Sequence, residues 1–290
     1  MAASLPVHAA PAAPTVVPAP VMQPHRALYD VSLRSAKSST GIADIHGQMF
    51  YDLQESCDAW TTTHRFVLVY DYIDNPTSQV VSEFTTTEAK DGSKFDFRAR
   101  RIHDGEVQEE VAGNVIRPTK PGKIFQAKYI EPKGTPSLPL DPETNFPMAH
   151  TEKVINGALS GKKFIAGQIF DGSDAEGPYQ VSGLVLKPVS VPERKREWPK
   201  DVDKKLSSLP GWRTQVAIFP LSQEDESASD YEMDVNLLEN GVVTDMSIRY
   251  ADFSIDQTLK ALSANPHPDC SPGADRSKPA APVTPLAVHT

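Results

Sequence analysis

Residues 231–250, with the sequence YEMDVNLLENGVVTDMSIRY, decide the fold class, because they have the pattern of two strands around a tight turn. Asn240-Gly241 is the dipeptide most typical of a two-residue type I′ hairpin loop. Counting outward from this loop places apolar residues opposite one another on one face, and Glu232 opposite Arg249 on the other. A slip of one residue would destroy both patterns. The sequence therefore predicts an antiparallel hairpin that pairs Glu239 with Val242, Leu237 with Thr244, Val235 with Met246, Met233 with Ile248 and Tyr231 with Tyr250.

Alternation of apolar and polar residues dominates the rest of the chain as well. Such period-two runs, rich in Val, Thr, Tyr and Phe, are typical of strands. They predict strands over residues 26–33, 48–55, 61–73, 80–87, 94–103, 106–116, 123–130, 163–170, 179–186 and 212–221. No alternation of strands with helices is visible. We therefore predict a mainly β fold, with a large antiparallel sheet arranged as a barrel, a sandwich or a coiled open sheet.

Two short helices interrupt this pattern. Within residues 142–161, four side chains at helical spacing would form a compact stripe along one face of a helix, and Gly161 suits its C-terminus. These side chains belong to Met148, Thr151, Ile155 and Leu159. A second helix is predicted to begin at Ser254 and to carry Ile255, Leu259 and Leu262 on one side. Residues 187–211, which hold several prolines around a charged run, are predicted to form a solvated loop, with a helical turn inside it as the alternative.

The composition limits both the folded region and the function. The net charge of −9 argues against general nucleic-acid binding, which needs a basic surface. No apolar run reaches the length of about 18 residues that a membrane-spanning helix needs. The Pro/Ala-rich residues 1–25 and the Pro-rich residues 271–290 are predicted to be disordered. One folded domain over residues 26–270 is therefore expected.

The N-terminus suggests export without containing a whole signal. Residues 1–13 lack the basic and apolar parts of a secretory signal peptide. However, Val7-His8-Ala9 and His8-Ala9-Ala10 resemble the small-residue end of a cleavage site. We hypothesise that Met1 lies inside or just after a signal peptide.

The chain has two cysteines, Cys57 near the start of the folded region and Cys270 at its end. Their positions leave two interpretations open, a long-range disulfide or two unrelated reduced thiols. A metal site is disfavoured, because neither cysteine has a partner at CxxC spacing.

A search for catalytic chemistry nominates no residue. The sequence holds none of the common nucleophile, zinc-protease or nucleotide-binding motifs, so no catalytic residue, metal or cofactor is predicted. His150-Thr151-Glu152 resembles half of a metal or acid–base motif, without a second half. The loop of residues 171–177 gathers three carboxylates that calcium could use, but a polar hairpin turn explains it as well.

A ligand site is predicted to consist of Arg98, Arg100, Tyr70, Tyr72 and Phe97. The arginines would receive an anionic head group or an acidic partner; the alternative is a solvated sheet face paired with Glu83 and Glu106. The aromatic residues are more typical of a core, yet a curled sheet can leave an apolar groove for a lipid or acyl chain.

Several stretches together resemble the cell envelope integrity protein EipB family. They are Ala27-Leu28-Tyr29, Ile45-His46-Gly47-Gln48-Met49, Cys57-Asp58-Ala59-Trp60-Thr61, Phe95-Asp96-Phe97, Phe170-Asp171-Gly172-Ser173, Trp212 with Ala217-Ile218-Phe219, and Asp252-Phe253. The resemblance covers about residues 26–270. It implies an antiparallel broken β-spiral, a disulfide between Cys57 and Cys270, and residence in the oxidising periplasm.

The same resemblance implies a non-enzymatic protein that supports envelope integrity, and we expect a monomer that acts through protein or ligand binding. Its expected partner is a periplasmic helical-repeat (TPR-type) protein or an envelope lipid. Two alternatives remain, a carrier that holds a lipid or lipoprotein acyl chain in an apolar groove, and an envelope hydrolase with an unrecognised site.

Overall fold

The computed structural model describes residues 22–120, 124–221 and 229–273. In these ranges the strands are β1 His25–Ala36, β2 Ile42–Glu55, β3 Ala59–Tyr72, β4 Ser78–Ala89, β5 Lys94–His103, β6 Glu106–Ile116, β7 Gln126–Glu131, β8 Leu138–Pro139, β9 Phe164–Ile169, β10 Tyr179–Pro188, β11 Gly211–Pro220, β12 Tyr231–Leu238, β13 Val243–Tyr250 and β14 Phe253–Ala264. The α-helices are α1 Pro147–Leu159, α2 Val191–Arg194 and α3 Lys204–Ser207. None of the described helices is long and apolar enough to cross a membrane.

All fourteen described strands form one antiparallel sheet that is not closed, which confirms the predicted fold class. The strand order is β8-β7-β6-β5-β4-β3-β2-β1-β14-β13-β12-β11-β10-β9. The sheet thus consists of two meanders, and β1 and β14, the first and last of the described strands, pair at its centre. Because adjacent strands twist against one another, a sheet this wide coils, and its inner face then surrounds a core.

The predicted hairpin is confirmed over most of its length. β12 pairs with β13 in the expected register from Tyr231 to Asn236, and Glu232 lies opposite Arg249. The Arg249 guanidinium donates to both Glu232 and Asp234, so this outer face is held by an ion-pair network. The opposite face is apolar and points into the coiled sheet.

The turn of this hairpin differs from the prediction. Gly241 N–H donates to the Leu238 carbonyl, and Gly241 alone in the loop has a positive φ, +84°. A type I′ turn needs two such residues, so the loop is instead a three-residue turn with left-handed glycine. Leu237 consequently pairs with Val243 rather than Thr244, and a bulge restores the predicted register beyond it.

The first predicted helix is confirmed as α1 with narrower bounds, but the second is wrong. Residues from Ser254 onward belong to strand β14, which lies between β1 and β13. Ile255, Gln257 and Leu259 alternate into the core, and a bulge against β1 then brings Leu262 rather than Ala261 onto the same face, which interrupts the period in the sequence. Pairing on both edges of the strand decides in favour of β structure.

The segment over residues 187–211 is mainly loop, as expected, with the one-turn helices α2 and α3 inside it. It is also a covering element, because Trp198 and Val202 are buried in the core cluster around Tyr29 and Leu259. A second cluster lies between α1 and the inner sheet face, and a third gathers phenylalanines at the β5–β6 end.

A disulfide joins Cys57, in the turn between β2 and β3, to Cys270 beyond β14. The Cα atoms are 5.6 Å apart, within the usual range for a disulfide. Polar contacts dock the same C-terminal segment, since Asn265 Nδ2 donates to the Leu53 carbonyl at 2.8 Å. The disulfide that the resemblance implies is therefore present.

The predicted disordered termini lie mostly outside the described residues, which begin at 22 and end at 273. Met22 is buried, and its side chain packs against Gly241. The division of the chain at residues 25 and 271 stays a prediction.

Candidate ligand-binding cavity

A cavity of about 360 Å³ lies inside the coiled sheet. Helix α1 forms one wall, and the inner faces of β1–β4 and β10–β14 form the others. Most of the wall is apolar and comes from the inward face of the hairpin and its neighbours, for example Val216, Met233, Val235 and Met246. Its volume lies in the range of small-molecule sites in proteins, which runs from about 300 to 1,000 Å³.

Glu88 holds helix α1 in place against the sheet. This β4 side chain accepts hydrogen bonds from the backbone N–H groups of Met148 and Ala149, both at 2.8 Å. The residue before the helix, Phe146, supplies no side-chain cap, so Glu88 takes over the role of a capping residue. Phe146 also stacks on Phe95 with ring centroids 4.7 Å apart, which fixes the entry of the helix.

A row of rings crosses four adjacent strands on the cavity wall. His25 of β1 lies 5.2 Å from Tyr51 of β2, Tyr51 lies 4.8 Å from His64 of β3, and His64 lies 5.9 Å from Phe84 of β4, all between ring centroids. The register explains the row, because Tyr51 is paired with His64 and His64 with Phe84. Side chains paired in this way stand side by side on one face of a sheet.

Burial disfavours the charged forms of the ionisable groups that line the cavity. It lowers the pKa of His25, His64 and His150 to about 4, so these imidazoles are neutral at neutral pH. The same desolvation raises the pKa of the Tyr51 hydroxyl and of the Asp171 carboxyl. His64 and Asp171 line the cavity, and both are partly exposed.

Two buried polar atoms on this wall have no hydrogen-bond partner among the described residues. They are Nε2 of His150, on α1, and Nε2 of Gln257, on β14. His150 is 7% exposed and Gln257 is 2% exposed. Buried polar groups in folded proteins are nearly always hydrogen-bonded, so the two atoms are available to hydrogen-bond a molecule in the cavity.

The five residues of the predicted ligand site lie elsewhere. Arg98 and Arg100 are exposed on β5, and Arg98 forms an ion pair with Glu110. Phe97 is buried among the phenylalanines of the third core cluster. Tyr70 packs against the first cluster, and Tyr72 is half-buried at the end of β3. None of the five is among the described residues that line the cavity, and their role as a ligand site stays a prediction.

Sequence reasoning singled out His150 and Asp171 for other chemistry and missed His25, His64 and Gln257. The feature of the sequence that could have indicated these cavity residues is a polar residue at an inward position of an otherwise apolar strand face. Thr62 and His64, between Trp60 and Phe66, are an example. This signal depends on knowing which face points inward, and the sequence leaves that open.

One group among the described residues has donor atoms close enough to hold a metal ion. His46 Nδ1 lies 3.7 Å from an Asp44 oxygen and 3.5 Å from an Asp71 oxygen. All three are exposed or half-exposed, and surface ion pairing explains their proximity. We assign no metal or cofactor to the protein.

Comparisons with known proteins agree with the architecture. The family model described as EipB-like matches residues 17–266. A curated relative, the cell envelope integrity protein EipB of Brucella abortus (strain 2308), is 32% identical over 241 residues, which are 82% of this chain and 83% of that protein. A solved structure, a beta-barrel-like protein of a domain of unknown function from Brucella abortus, superposes with a TM-score of 0.76 at 30% identity. It covers 85% of this chain and 99% of that one.

Proposed function

This chain belongs to the EipB-like family, and we propose that it supports the integrity of the cell envelope by binding an apolar ligand in its interior cavity. The name of the curated relative supports the envelope role. The cavity supports the binding mechanism, and it favours the carrier of an acyl chain over a scaffold that acts by surface contact alone.

The observation that carries this proposal is a space of about 360 Å³ inside a sheet that otherwise packs a dense core. At about 30 Å³ for a water-sized group, it accommodates roughly a dozen heavy atoms, the size of a short acyl segment. Methionines line it together with branched aliphatic residues, and methionine adapts its shape to varied apolar ligands.

Location outside the cytoplasm, in the periplasm, is part of the proposal. The Cys57–Cys270 disulfide supports it, because such bonds persist in oxidising compartments. Thiol labelling of cell extracts, with and without prior reduction, should show both cysteines oxidised in the native protein. Free thiols in freshly prepared native protein would contradict export.

Binding can be measured with delipidated protein and the fluorescent probe N-phenyl-1-naphthylamine. We expect saturable binding that decanol displaces. Val216→Phe, which places a ring in the cavity, should abolish it, whereas Gln215→Phe places the same ring on the outer face of β11 and should not. Binding that survives Val216→Phe would place the probe outside the cavity and refute the site.

Two rival functions make different predictions. A scaffold for a periplasmic helical-repeat protein would bind no probe, yet it would still retain its partner. An envelope hydrolase would show turnover that disappears with one substitution, for example at Asp171 in the cavity wall.

A further inference from the structure

The two unpartnered polar atoms of the cavity come from different walls. His150 reaches it from helix α1, and Gln257 reaches it from β14 at the centre of the sheet. The amide nitrogen of Gln257 is a hydrogen-bond donor, and a neutral imidazole nitrogen donates or accepts according to its tautomer. Leaving such groups unpaired costs free energy, so an oxygen that hydrogen-bonds to them gains affinity that a pure hydrocarbon does not.

The ionisable residues that line the cavity further limit which chemical group can supply that oxygen. No lysine or arginine is among the described residues that line the cavity. Lys153, on the same helix as His150, places its ammonium group 3.4 Å from the Ala166 carbonyl instead. Asp171 is the one acidic residue of the described lining, and its carboxylate accepts a hydrogen bond from Ser173 N–H at 2.9 Å.

An anionic head group would therefore find no counter-ion inside the cavity. The three imidazoles do not supply one, because burial keeps them neutral near pH 7. Transfer of an unpaired carboxylate or phosphate into such a site is strongly unfavourable.

We propose that the cavity selects uncharged amphiphiles, with an apolar chain along the methionine-lined and aliphatic wall and an ester or hydroxyl oxygen hydrogen-bonded to His150 and Gln257. This inference rests on the proposed function and adds the substrate class. It distinguishes neutral acyl esters and alcohols from fatty acids and from lipids whose charged head group would have to enter the cavity.

The first test compares ten-carbon ligands by displacement of N-phenyl-1-naphthylamine at pH 7.5. We expect 1-decanol and methyl decanoate to bind at least about tenfold more tightly than decanoate. Equal or tighter binding of decanoate would overturn the inference and leave the proposed function intact. Tightest binding of decylamine would also overturn it and would assign recognition to Asp171. If no compound binds, including the probe, the proposed function itself fails.

The second test examines the two polar residues. His150→Phe and Gln257→Leu should each lower the affinity for 1-decanol by about tenfold and leave the affinity for decane, which has no polar end, unchanged. Gln215→Leu, on the outer face of β11, is the matched control and should bind both ligands as the unmodified protein does. Unchanged decanol affinity in both cavity variants would show that water satisfies these atoms in the complex, which overturns the assignment.

Discussion

Replacement of His150 with phenylalanine should make the protein more resistant to acid. The imidazole is buried with its pKa lowered to about 4, whereas an unfolded chain has a histidine pKa of 6.5. The stability that depends on neutral His150 is therefore fully present above pH 6.5 and is lost as the pH falls toward 4. At pH 5.0 this loss amounts to about 2 kcal/mol of unfolding free energy, because the unfolded chain is almost fully protonated there and the folded one is not.

The phenylalanine ring has a similar volume and removes the unpartnered nitrogen, so the variant should lie within about 1 kcal/mol of the unmodified protein at pH 7.5. At pH 5.0 it should be more stable by about 2 kcal/mol. Glu88 acts in the opposite sense, since burial raises its pKa to about 7 and stability is gained as the pH falls from 7 toward 4.5. Its contribution is common to both proteins and cancels in the difference.

The measurement is urea unfolding followed by tryptophan fluorescence at both pH values, without reductant. His103→Phe replaces an exposed imidazole on β5 and should follow the curve of the unmodified protein. If the stability difference between His150→Phe and the unmodified protein is the same at both pH values, His150 is not a buried neutral imidazole. The electrostatic description of the cavity would then be wrong.

Three further variants test the architecture. Cys57→Ser should lower the free energy of unfolding by about 5 kcal/mol in the chain-entropy model, because the disulfide spans 213 residues. Excess reductant should erase the difference between the variant and the unmodified protein. Equal stability of the two proteins without reductant would contradict this role of the disulfide. Glu88→Leu leaves two helix N–H groups buried without an acceptor and should cost about 3 kcal/mol in thermal or urea unfolding, more than Glu88→Gln, which keeps one acceptor. Gly47→Ala should lower the free energy of unfolding by more than about 2 kcal/mol or prevent folding, because the new Cβ would lie 2.0 Å from the Val67 carbonyl oxygen of the neighbouring strand. A normal circular dichroism spectrum and unchanged urea unfolding would contradict this and show that β2 and β3 separate easily.

Local patterns predicted the strands well because a strand with one buried face carries a period of two in its own sequence. Lys94–His103 and Glu106–Ile116 have the predicted bounds, and the register of the 231–250 hairpin is right beyond its turn. At the turn itself, Asn240-Gly241 is compatible with two loop types. The pairing of Leu237 with Val243 shows which loop the chain adopts, and the dipeptide alone does not encode that pairing.

The error at β14 has a different origin. Residues 253–264 have apolar side chains at both strand and helix spacings, and local propensity could not separate the two. The partners that decide the matter, β1 and β13, include a strand more than two hundred residues away in the sequence.

The sequence by itself determined an antiparallel β protein with one helix between two runs of strands, and its resemblance to a family implied the disulfide. Tertiary structure alone decided that β1 and β14 pair, that Glu88 fixes α1 against the sheet, and that one cavity is lined by His25, His64, His150 and Gln257. The physical reason is that strand periodicity is a local property of the chain. The interior of a coiled sheet, by contrast, is assembled from side chains far apart in sequence, and their burial and charge state depend on every wall at once.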